Sequence, residues 1–460
     1  MSGTAGAAVP IALRLSHQIS SYRSEVMSSE LVSKTEDCVL DNLAAALAGV
    51  DAVPSRAAQN VALGTFGRGS APIWFSSRTL SAPGAALCNS VAASCLDFDD
   101  GHRLARGHPG SAIIPAVLAK AATQSTSTRE ILTAIAIGYE VAIRAASAQR
   151  HEKTQTHQSG RWAGFGVVAA CGRLGRLSAE QLAHALAIAG VWAPNQLANG
   201  SSGYARETGN WAKEGIPLST LQAMMAVDLS RLGYTGPLDL FDHASHFDPE
   251  PLLSWGGEPA LILDTYFKQH ACCRYIHPAL AAWDAISHGA NIDPQTIARI
   301  DVMTFGWALK LANKARPDNL VDVQFSLPFC LAALILRGQR ALSPISEELL
   351  ADQAICELAA RTHLRSSSDL DRRFPGQTLA RLQVTLESGE TLGSSTTAPQ
   401  AHLGRSELSE KFRAIAKGRI PDAQCDRFLE IFGKPEGDFL AFLGTNESAM
   451  TMSQRSPHLG

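Results

Sequence analysis

Apolar helical segments dominate the first 265 residues, and they constrain the fold more than any other feature of the sequence. Residues 82–96 and 112–123 are rich in alanine and apolar on every side, which is typical of helices buried in a bundle. Residues 30–49 carry leucine and valine at helical spacing, and residues 128–146 follow a capping-box pattern at Ser127. Helices of this kind bury their apolar surface against each other, so the sequence predicts a large all-helical domain.

Strand signals appear only in the second half of the chain, where alternation of apolar and polar residues replaces the helical spacing. The segments predicted as strands are residues 298–305, residues 379–386 and, after a turn at residues 388–389, residues 391 onward. The segments predicted as helices around them are residues 326–337, 347–362, 406–417 and 421–432. We therefore expect a mainly α protein. Residues 1–267 and 406–460 form its all-helical domain, and residues 268–405 form a smaller, inserted α+β domain.

Composition and charge exclude several classes of function. The chain has a net charge of −3 and no run of lysine or arginine, so it lacks the basic surface that nucleic-acid binding needs. Its longest apolar runs, such as residues 329–336, are too short to cross a bilayer. The nine cysteines are an odd number and mostly lie far apart, and residues 1–12 do not resemble a secretory signal. These features predict a soluble, cytoplasmic protein with reduced thiols.

Residues 96–110 place three carboxylates, two histidines and two arginines between two buried helical segments. Asp97 stands at the start of this run, and His108 stands just before the helix that follows. A helix N-terminus preceded by histidine and arginine suits a bound carboxylate. The same spacing also fits a helix-capping loop held by salt bridges. A metal site that uses the aspartates and His108 is a third interpretation, although no second set of ligands supports it.

Lys213 lies just before an apolar helix, in residues 208–217, among small residues that leave it room to point inward. Apolar surroundings lower the pKa of a lysine, so we expect Lys213 to have a lowered pKa and to act as a base or to bind a carboxylate. The alternative is a surface lysine that extends into solvent beside Glu214.

Residues 267–278 contain Lys268, Cys273, Arg274 and His277 at the predicted junction of the domains, where ligand sites are common. A zinc site built from the histidines and cysteines of this segment is an alternative, but two adjacent cysteines cannot readily bind one tetrahedral ion together. A cysteine nucleophile is a further alternative that nothing beyond the nearby histidines supports.

His157 is a fourth candidate for a functional group. It lies in residues 156–162, a polar stretch that also contains Arg161. A single histidine of this kind more often has a structural role.

Together these segments resemble the MmgE/PrpD family, and the match runs over most of the chain. The motifs that carry it are D-F-D-D and H-P-G in residues 97–110, G-F-G at 164–166, A-K at 212–213 with G-I at 215–216, Lys268 with C-C-R-Y at 272–275 and H-P at 277–278, and F-S-L-P at 325–328. Each motif alone is a weak signal. Because five of them occur in the family's order, the chain is identified as a member of the family.

The resemblance implies a large helical domain and a smaller α+β domain, with the active site in the cleft between them and usually a homodimer. Known members are 2-methylcitrate dehydratase, cis-aconitate decarboxylase and iminodisuccinate epimerase, so the resemblance also implies a small di- or tricarboxylate substrate. It implies that no metal and no organic cofactor is needed. By motif position, the resemblance assigns the active-site groups to Asp97, His108, His157, Lys213 and Lys268.

Two positions differ from the decarboxylase: this chain has Cys273 where the decarboxylase has a histidine, and Gly101 where it has a threonine. The sequence also lacks the tryptophan-containing loop of the dehydratases. The remaining motifs resemble the iminodisuccinate epimerase branch. We therefore expect an epimerase of iminodisuccinate or of a similar amino- or imino-dicarboxylate. A lyase of the same family and a catalytically silent carboxylate-binding relative are the alternatives.

Epimerisation requires one group to remove the α-proton and a second group to return a proton to the opposite face. We expect Lys213 and His108 to form this pair, with Lys268 and His157 as substitutes. Asp97 would orient a histidine. Nearby cations would stabilise the negative charge that builds on the substrate carboxylate. The residues expected to bind substrate are Arg103 and Arg274, which suit its two end carboxylates, together with His102, Arg161, Cys273 and His277.

Overall fold

The computed structural model describes residues 8–150, 158–194, 210–289, 292–400 and 403–432, together with residues 434, 437, 440 and 443. Within these residues the chain is mainly α-helical with two small sheets, as the sequence predicts. The helices of the first part are α1 (Ile11–Ser21), α2 (Ser29–Gly49), α3 (Val53–Thr65), α4 (Ala82–Ser94), α5 (Gly110–Ala121), α6 (Thr128–Ala148), α7 (Gly160–Leu174), α8 (Ala179–Trp192), α9 (Ile216–Arg231) and α10 (Pro249–Leu253). The later helices are α11 (His277–Ser287), α12 (Leu320–Gln324), α13 (Leu327–Arg337), α14 (Gln353–Ala360), α15 (Ser368–Asp371), α16 (Arg405–Ala416) and α17 (Asp422–Phe432).

The core of the helical region is built from α4, α5, α6, α7 and α9, which pack against each other and bury nearly all of their apolar side chains. Helix α6 begins where Ser127 accepts a hydrogen bond from the backbone N–H of Glu130 at 3.2 Å, which is one half of the predicted capping box. The Glu130 carboxylate pairs with Arg173 at 2.7 Å instead. The same helix is long and apolar enough to cross a membrane, but 94% of its most apolar window is buried. Helix α6 is therefore a core helix of this bundle.

The strands are β1 (Ala71–Pro72), β2 (Thr79–Leu80), β3 (Ile297–Thr304), β4 (Thr362–Ser366), β5 (Arg381–Leu386) and β6 (Thr391–Gly393). Strands β1 and β2 form a small antiparallel pair. The larger sheet has the order β4-β3-β5-β6, in which β3 runs parallel to β4 and antiparallel to β5. The three strands predicted in the second half of the chain are confirmed as β3, β5 and β6.

The helix predicted over residues 347–362 is wrong in its extent. A short 3₁₀ helix (Glu347–Ala351) precedes α14, because Asp352 caps α14 by accepting a hydrogen bond from the backbone N–H of Ala354 at 3.1 Å. Residues after α14 then form β4, which pairs with β3. This long-range pairing overrides the local pattern, since strand formation depends strongly on the neighbouring strand.

Helix α16 returns the chain to the helical region after the sheet. Arg405 forms ion pairs with Glu36 at 3.2 Å and with Asp37, and Lys411 pairs with Asp41 at 2.7 Å. These contacts attach α16 to α2. The division into domains at residues 267–268 and 405–406 stays a prediction.

Candidate active site

The loop between α4 and α5 carries three buried carboxylates. Asp97, Asp99 and Asp100 are each at most 2% exposed. Asp97 has a φ of +54°, a left-handed conformation that residues other than glycine rarely adopt. Buried charges and backbone strain both cost free energy, and they concentrate at functional sites.

Three side chains from distant parts of the sequence meet at the carboxylate of Asp97. Lys213 donates a hydrogen bond to its Oδ1, and Nε2 of His108 lies 3.4 Å from the same oxygen. Nζ of Lys268 lies 3.2 Å from Oδ2 and donates a hydrogen bond to the Asp97 carbonyl oxygen at 2.6 Å. We call Asp97, His108, Lys213 and Lys268 the Asp97 cluster. It unites four of the five predicted active-site residues, and the fifth, His157, lies outside the described residues.

The charges of the Asp97 cluster stabilise each other in place of water. Burial alone would raise the pKa of Asp97, but the two lysine charges and then His108 outweigh it and hold that pKa far below its usual value. Burial alone would lower the pKa of Lys213 and of Lys268, but Asp97 and then Asp99 outweigh it and raise both. The expectation of a lowered pKa for Lys213 is therefore wrong, because Asp97 faces it. Both lysines stay protonated at neutral pH.

An unusual backbone holds Lys213 in this position. Lys213, Glu214 and Gly215 have φ angles of +42°, +56° and +71°, so three successive residues are left-handed. Gly160 allows this turn to approach α7, since a Cβ atom there would lie 2.7 Å from the carbonyl oxygen of Glu214. The Glu214 carboxylate accepts hydrogen bonds from N and Oγ of Ser159, at 3.0 and 2.7 Å. Lys213 is only 3% exposed, so the surface alternative for this lysine is wrong.

His108 is oriented through its main chain and through one ring nitrogen. Its Nδ1 lies 2.7 Å from the carbonyl oxygen of Asp100, and a hydrogen bond there requires a proton on Nδ1. In the neutral imidazole, Nε2 therefore carries the lone pair. The backbone N–H of His108 donates to Oγ of Ser159 at 3.1 Å. These contacts fix the ring, with Nδ1 towards Asp100 and Nε2 towards the carboxylate of Asp97.

The geometry of the Asp97 cluster also bears on whether this loop could bind a metal ion. Asp97, Asp99 and His108 offer ligand atoms within 4.8 Å of one another, and they are the single such group of three found in the part of the chain that the structure describes. However, Lys213 and Lys268 already contact both carboxylate oxygens of Asp97. A divalent cation would lie against two ammonium charges, so this donor set fits a metal poorly.

A cavity of about 90 Å³ adjoins the Asp97 cluster, with His108 in its wall. Residues of the helical region and residues beyond residue 268 line it together, among them the apolar Phe325 and Phe374. Nζ of Lys213 lies 5.6 Å from the centroid of the Phe325 ring, so the lysine lies close to this wall. The cavity is small, which suits a small ligand.

Three guanidinium groups line the cavity, those of Arg103, Arg106 and Arg274, and we call them the arginine wall. Within the described ranges none of them forms an ion pair with a carboxylate. Arg103 donates to the carbonyl oxygen of Gly376 at 3.3 Å, and Arg274 donates to that of Gln400 at 3.1 Å. Each guanidinium has five N–H groups, so donors remain for an anionic ligand. The sequence motifs missed Arg106, although its spacing from Arg103 in one tight turn was a usable signal.

Two other residues predicted to bind substrate, His102 and Cys273, also line the cavity. Burial lowers the pKa of His102 to about 4, so this imidazole is neutral, and its Nε2 lies 3.0 Å from the carbonyl oxygen of Leu261. Burial raises the pKa of the Cys273 thiol, which therefore stays protonated. A protonated thiol is a poor nucleophile, so the cysteine-nucleophile alternative gains no support.

Arg161 and His277 lie away from this cavity. Arg161 is half-buried near the start of α7. His277 lies beside His270, with ring centroids 5.7 Å apart, at a second cavity. In the described segments these histidines and the neighbouring cysteines form no group of three metal ligands, so zinc is not supported either. Substrate binding by Arg161 and His277 stays a prediction that the lining of the first cavity does not support.

The helical bundle thus buries lysine, histidine and aspartate beside a cavity that three arginines line. The chain belongs to the MmgE/PrpD family: the model of the MmgE/PrpD N-terminal domain matches residues 13–249, and that of the C-terminal domain matches residues 270–434. The resemblance noted in the sequence is thus confirmed. The family contains dehydratases, decarboxylases and epimerases.

The chain is also similar to a curated fungal protein, the cis-aconitate decarboxylase-like protein oryM of Aspergillus oryzae. The two are 22% identical over 458 residues, which cover 91% of this chain and 92% of the relative. Similarity at this level extends over nearly the whole of both chains.

Proposed function

We propose that the protein is an acid–base enzyme that moves a proton next to a carboxylate of a small dicarboxylate. Its net reaction in this proposal is the epimerisation of iminodisuccinate, which carries two carboxylates on each of its two arms, or of a similar amino- or imino-dicarboxylate. The observation that carries the proposal is the Asp97 cluster beside the arginine wall. The cluster offers groups for proton transfer, and the wall offers charges that hold a dianion.

Substrate binding is assigned to the arginine wall. Arg103 and Arg274 each donate a hydrogen bond to a main-chain carbonyl oxygen, so their guanidinium groups are already positioned before a ligand arrives. A planar guanidinium matches a carboxylate with two parallel hydrogen bonds. A substrate with a carboxylate at each end thus engages two of these groups and leaves its middle carbon next to His108.

The chemical difficulty is the loss of a proton beside a group that is already negative. The C–H bond breaks, its electron pair moves towards the adjacent carboxylate, and negative charge builds there. Lys213 and Lys268 are buried and protonated, so their charges act at low dielectric and need little reorganisation. Fixed cations of this kind stabilise the transition state more than the ground state.

The two proton-transfer roles fall to different residues. His108 is assigned as the base, because its Nε2 carries the lone pair and the residue lines the cavity. Lys213 is assigned as the acid that returns a proton, because it is protonated and contacts the same oxygen of Asp97 as His108 does. Lys268 contacts the second carboxylate oxygen of Asp97, and it is the substitute proton donor. After one turnover His108 releases a proton to solvent, and Lys213 takes up a proton from solvent.

A lyase is the second candidate, and the fungal relative is named as a decarboxylase-like protein. The same base would start an elimination, but a leaving group would depart instead of a proton returning. Cys273 lines the cavity and Gly101 packs against the cavity residue Tyr266, so both positions that differ from the decarboxylase affect this site. Those differences support the epimerase assignment over the decarboxylase.

Proton exchange in deuterated water distinguishes the candidates. Purified protein is incubated separately with iminodisuccinate, 2-methylcitrate and cis-aconitate, and each mixture is followed by proton NMR. Epimerisation predicts deuterium at the α-carbon and interconversion of stereoisomers, with no release of water or carbon dioxide. Release of either product contradicts the epimerase and supports the lyase. Binding without exchange or product would identify a silent carboxylate-binding protein.

Two further proposals concern the protein in the cell. We propose a cytoplasmic location, supported by nine cysteines that are all free thiols. We also propose a homodimer, which follows from the family alone. Light scattering after gel filtration measures the mass in solution, and a monomer at 48.9 kDa contradicts the dimer.

A further inference from the structure

Tyr266 lines the cavity, but neither the sequence motifs nor the proposed proton transfer uses it. The residue is 8% exposed, and it shares the cavity with His108, Arg103 and Arg274. Its Oη forms no hydrogen bond with any residue whose structure is described. A buried phenol normally has a hydrogen-bond partner, so an unpartnered Oη at the wall of a cavity indicates that a ligand supplies the partner.

Gly101 makes the room that this hydroxyl needs. The backbones of Gly101 and Tyr266 pair through two hydrogen bonds, at 3.0 and 2.9 Å. A Cβ atom at Gly101 would lie 2.4 Å from Oη and 2.5 Å from Cζ of Tyr266, closer than such atoms approach. The φ angle of Gly101 lies outside the left-handed region, so the phenol, and not the backbone conformation, requires glycine here.

Arg274 fixes the orientation of the phenol ring. The guanidinium carbon lies 4.5 Å from the ring centroid, which is a cation–π contact. Burial raises the pKa of Tyr266, so the hydroxyl keeps its proton and remains a donor. A carboxylate bound by the Arg274 guanidinium therefore lies next to a neutral O–H donor.

We propose that Tyr266 is a substrate-contacting residue that donates a hydrogen bond to the carboxylate oxygen on which negative charge builds when the α-proton leaves. The proposal rests on the proposed function and adds a group to it. No bond to Tyr266 is made or broken: the α-proton goes to His108, and the electron pair moves to the carboxylate that Oη contacts. Lys213 later returns a proton and the C–H bond forms again. Tyr266 thus acts as a neutral donor aimed at the developing charge.

The first test removes the hydroxyl and keeps the ring. Tyr266→Phe retains the contact with Arg274 and removes Oη. Removal of one such donor is expected to lower kcat for α-hydrogen exchange by about 100-fold and to raise KM by about tenfold or less. The thermal unfolding midpoint should not change, because Oη has no partner among the described residues of the protein.

Tyr234→Phe is the matched control at an exposed tyrosine. The proposal is overturned if kcat of Tyr266→Phe lies within twofold of wild type. A twofold change corresponds to about 0.4 kcal/mol of activation free energy.

The second test moves the hydroxyl without removing it. Gly101→Ala forces the phenol aside and should lower kcat as much as Tyr266→Phe does. In a Tyr266→Ala background, Gly101→Ala should have almost no further effect, because the two residues act through the same contact. If Gly101→Ala reduces kcat equally in both backgrounds, its role is independent of Tyr266 and this part of the proposal is wrong.

Succinate binding separates this proposal from the proposed reaction. Isothermal titration with succinate as the probe should show about tenfold weaker binding to Tyr266→Phe than to wild type, as loss of one hydrogen bond to a charged group predicts. If wild type binds succinate in this way but exchanges no α-hydrogen, the contact stands and the proposed reaction fails. If wild type exchanges α-hydrogen and Tyr266→Phe matches it, the reaction stands and the contact fails. A wild-type protein that neither exchanges nor binds overturns both.

Discussion

The Asp97 cluster and the arginine wall lie next to each other, yet they hold their charges in opposite ways. In the cluster every charged group has a partner: Lys213 and Lys268 share one carboxylate, and each lysine side chain is at most 4% exposed. In the arginine wall, no guanidinium pairs with a carboxylate within the described ranges. Each charge of the cluster therefore has a partner in the protein before a ligand arrives, whereas the guanidinium charges of the wall have none among the described residues.

This difference assigns separate tasks to the two regions. Paired and buried charges are held in fixed positions, so they suit stabilisation of a transition state. Unpaired guanidinium groups gain a partner only when an anion binds, so they suit substrate binding. Changes in the cluster should therefore act on kcat, and changes in the wall should act on KM. The predictions below test this division.

The largest effect is expected from Lys213, at the centre of the cluster. Lys213→Met removes the proposed proton donor and one of the two charges on Asp97, so kcat should fall by about 1,000-fold or more. Lys268 remains as a partner for Asp97, so the protein should still fold, with a lower thermal midpoint. Lys213→Arg keeps the charge but holds its protons too tightly to return one, and it should also lose activity.

Lys310→Met is the control for this prediction, because Lys310 is exposed on a surface turn. Kinetics and circular dichroism of the three variants provide the measurement. Normal turnover in Lys213→Met would remove Lys213 from the mechanism.

The next largest effect is expected in the arginine wall. Arg103→Met removes a guanidinium group that is exposed at the cavity and makes one hydrogen bond to the protein. Loss of a charge-assisted hydrogen bond should raise KM by about 10-fold to 100-fold. The value of kcat should change much less. Arg365→Met, at an exposed arginine of β4, is the control. A fall in kcat with an unchanged KM would break the division between cluster and wall.

The two regions also differ in how far the sequence predicted them. The motifs named all four residues of the Asp97 cluster, but the sign of the pKa shift of Lys213 was wrong. The shift depends on Asp97, which is 116 positions away, and no spacing rule reveals such a pair. In the wall, Arg103 and Arg274 were predicted, whereas Arg106 was not, and neither was Tyr266 in the same cavity. Tyr266 had no local signal, because its proposed role depends on contact with Gly101, which is distant in the sequence and has no side chain to clash with the phenol.

A similar contrast holds for the fold. Helices such as α6 were predicted closely, because their apolar periodicity and the cap at Ser127 are local features. Strand β4 was missed, and its first residue, Thr362, was predicted as the end of a helix. Its five residues become a strand only through pairing with β3, which lies more than 50 positions earlier in the sequence. Local patterns therefore predicted the bundle, and distant pairing decided the sheet.

A smaller effect is expected from Lys411 of α16, which forms hydrogen bonds with the main chain at and beside residues of the cluster. Its Nζ donates hydrogen bonds to Asp41 at 2.7 Å and to the carbonyl oxygens of Phe98 and Lys268 at 3.0 and 2.9 Å. Lys411→Met should release both main-chain segments and lower kcat by about 10-fold, with KM unchanged. Hydrogen exchange should increase in residues 96–101 and 264–270 more than elsewhere. Uniformly faster exchange would indicate general destabilisation instead.

Lys417→Met on the same stretch of chain is the control for Lys411, because Lys417 is exposed. Its kinetics and exchange pattern should match those of wild type. A loss of activity in Lys417→Met equal to that in Lys411→Met would mean that the hydrogen bonds of Lys411 to the two carbonyl oxygens are unimportant.

The smallest effect on turnover is expected at Asp100, a carboxylate that has no lysine partner. Burial raises its pKa from 3.8 to about 7, although Tyr139 donates a hydrogen bond to it at 2.5 Å. The folded protein therefore binds a proton more tightly than the unfolded chain, so this contribution to stability is fully present below pH 3.8 and is lost as pH rises to about 7. Asp97, only three positions away, has the opposite shift because two lysines face it.

Asp100→Asn should remove this pH dependence and leave turnover nearly unchanged, since Asp100 contacts His108 only through its carbonyl oxygen. Three pKa units correspond to at most about 4 kcal/mol, so wild type should lose a few kcal/mol of unfolding free energy between pH 4 and 7 that the variant keeps. Urea unfolding at several pH values measures the difference. Equal slopes in the two proteins would mean that Asp100 is ionised in the fold. In that case, proximity to the cluster would be enough to keep a carboxylate charged, and direct pairing with lysine would not be required.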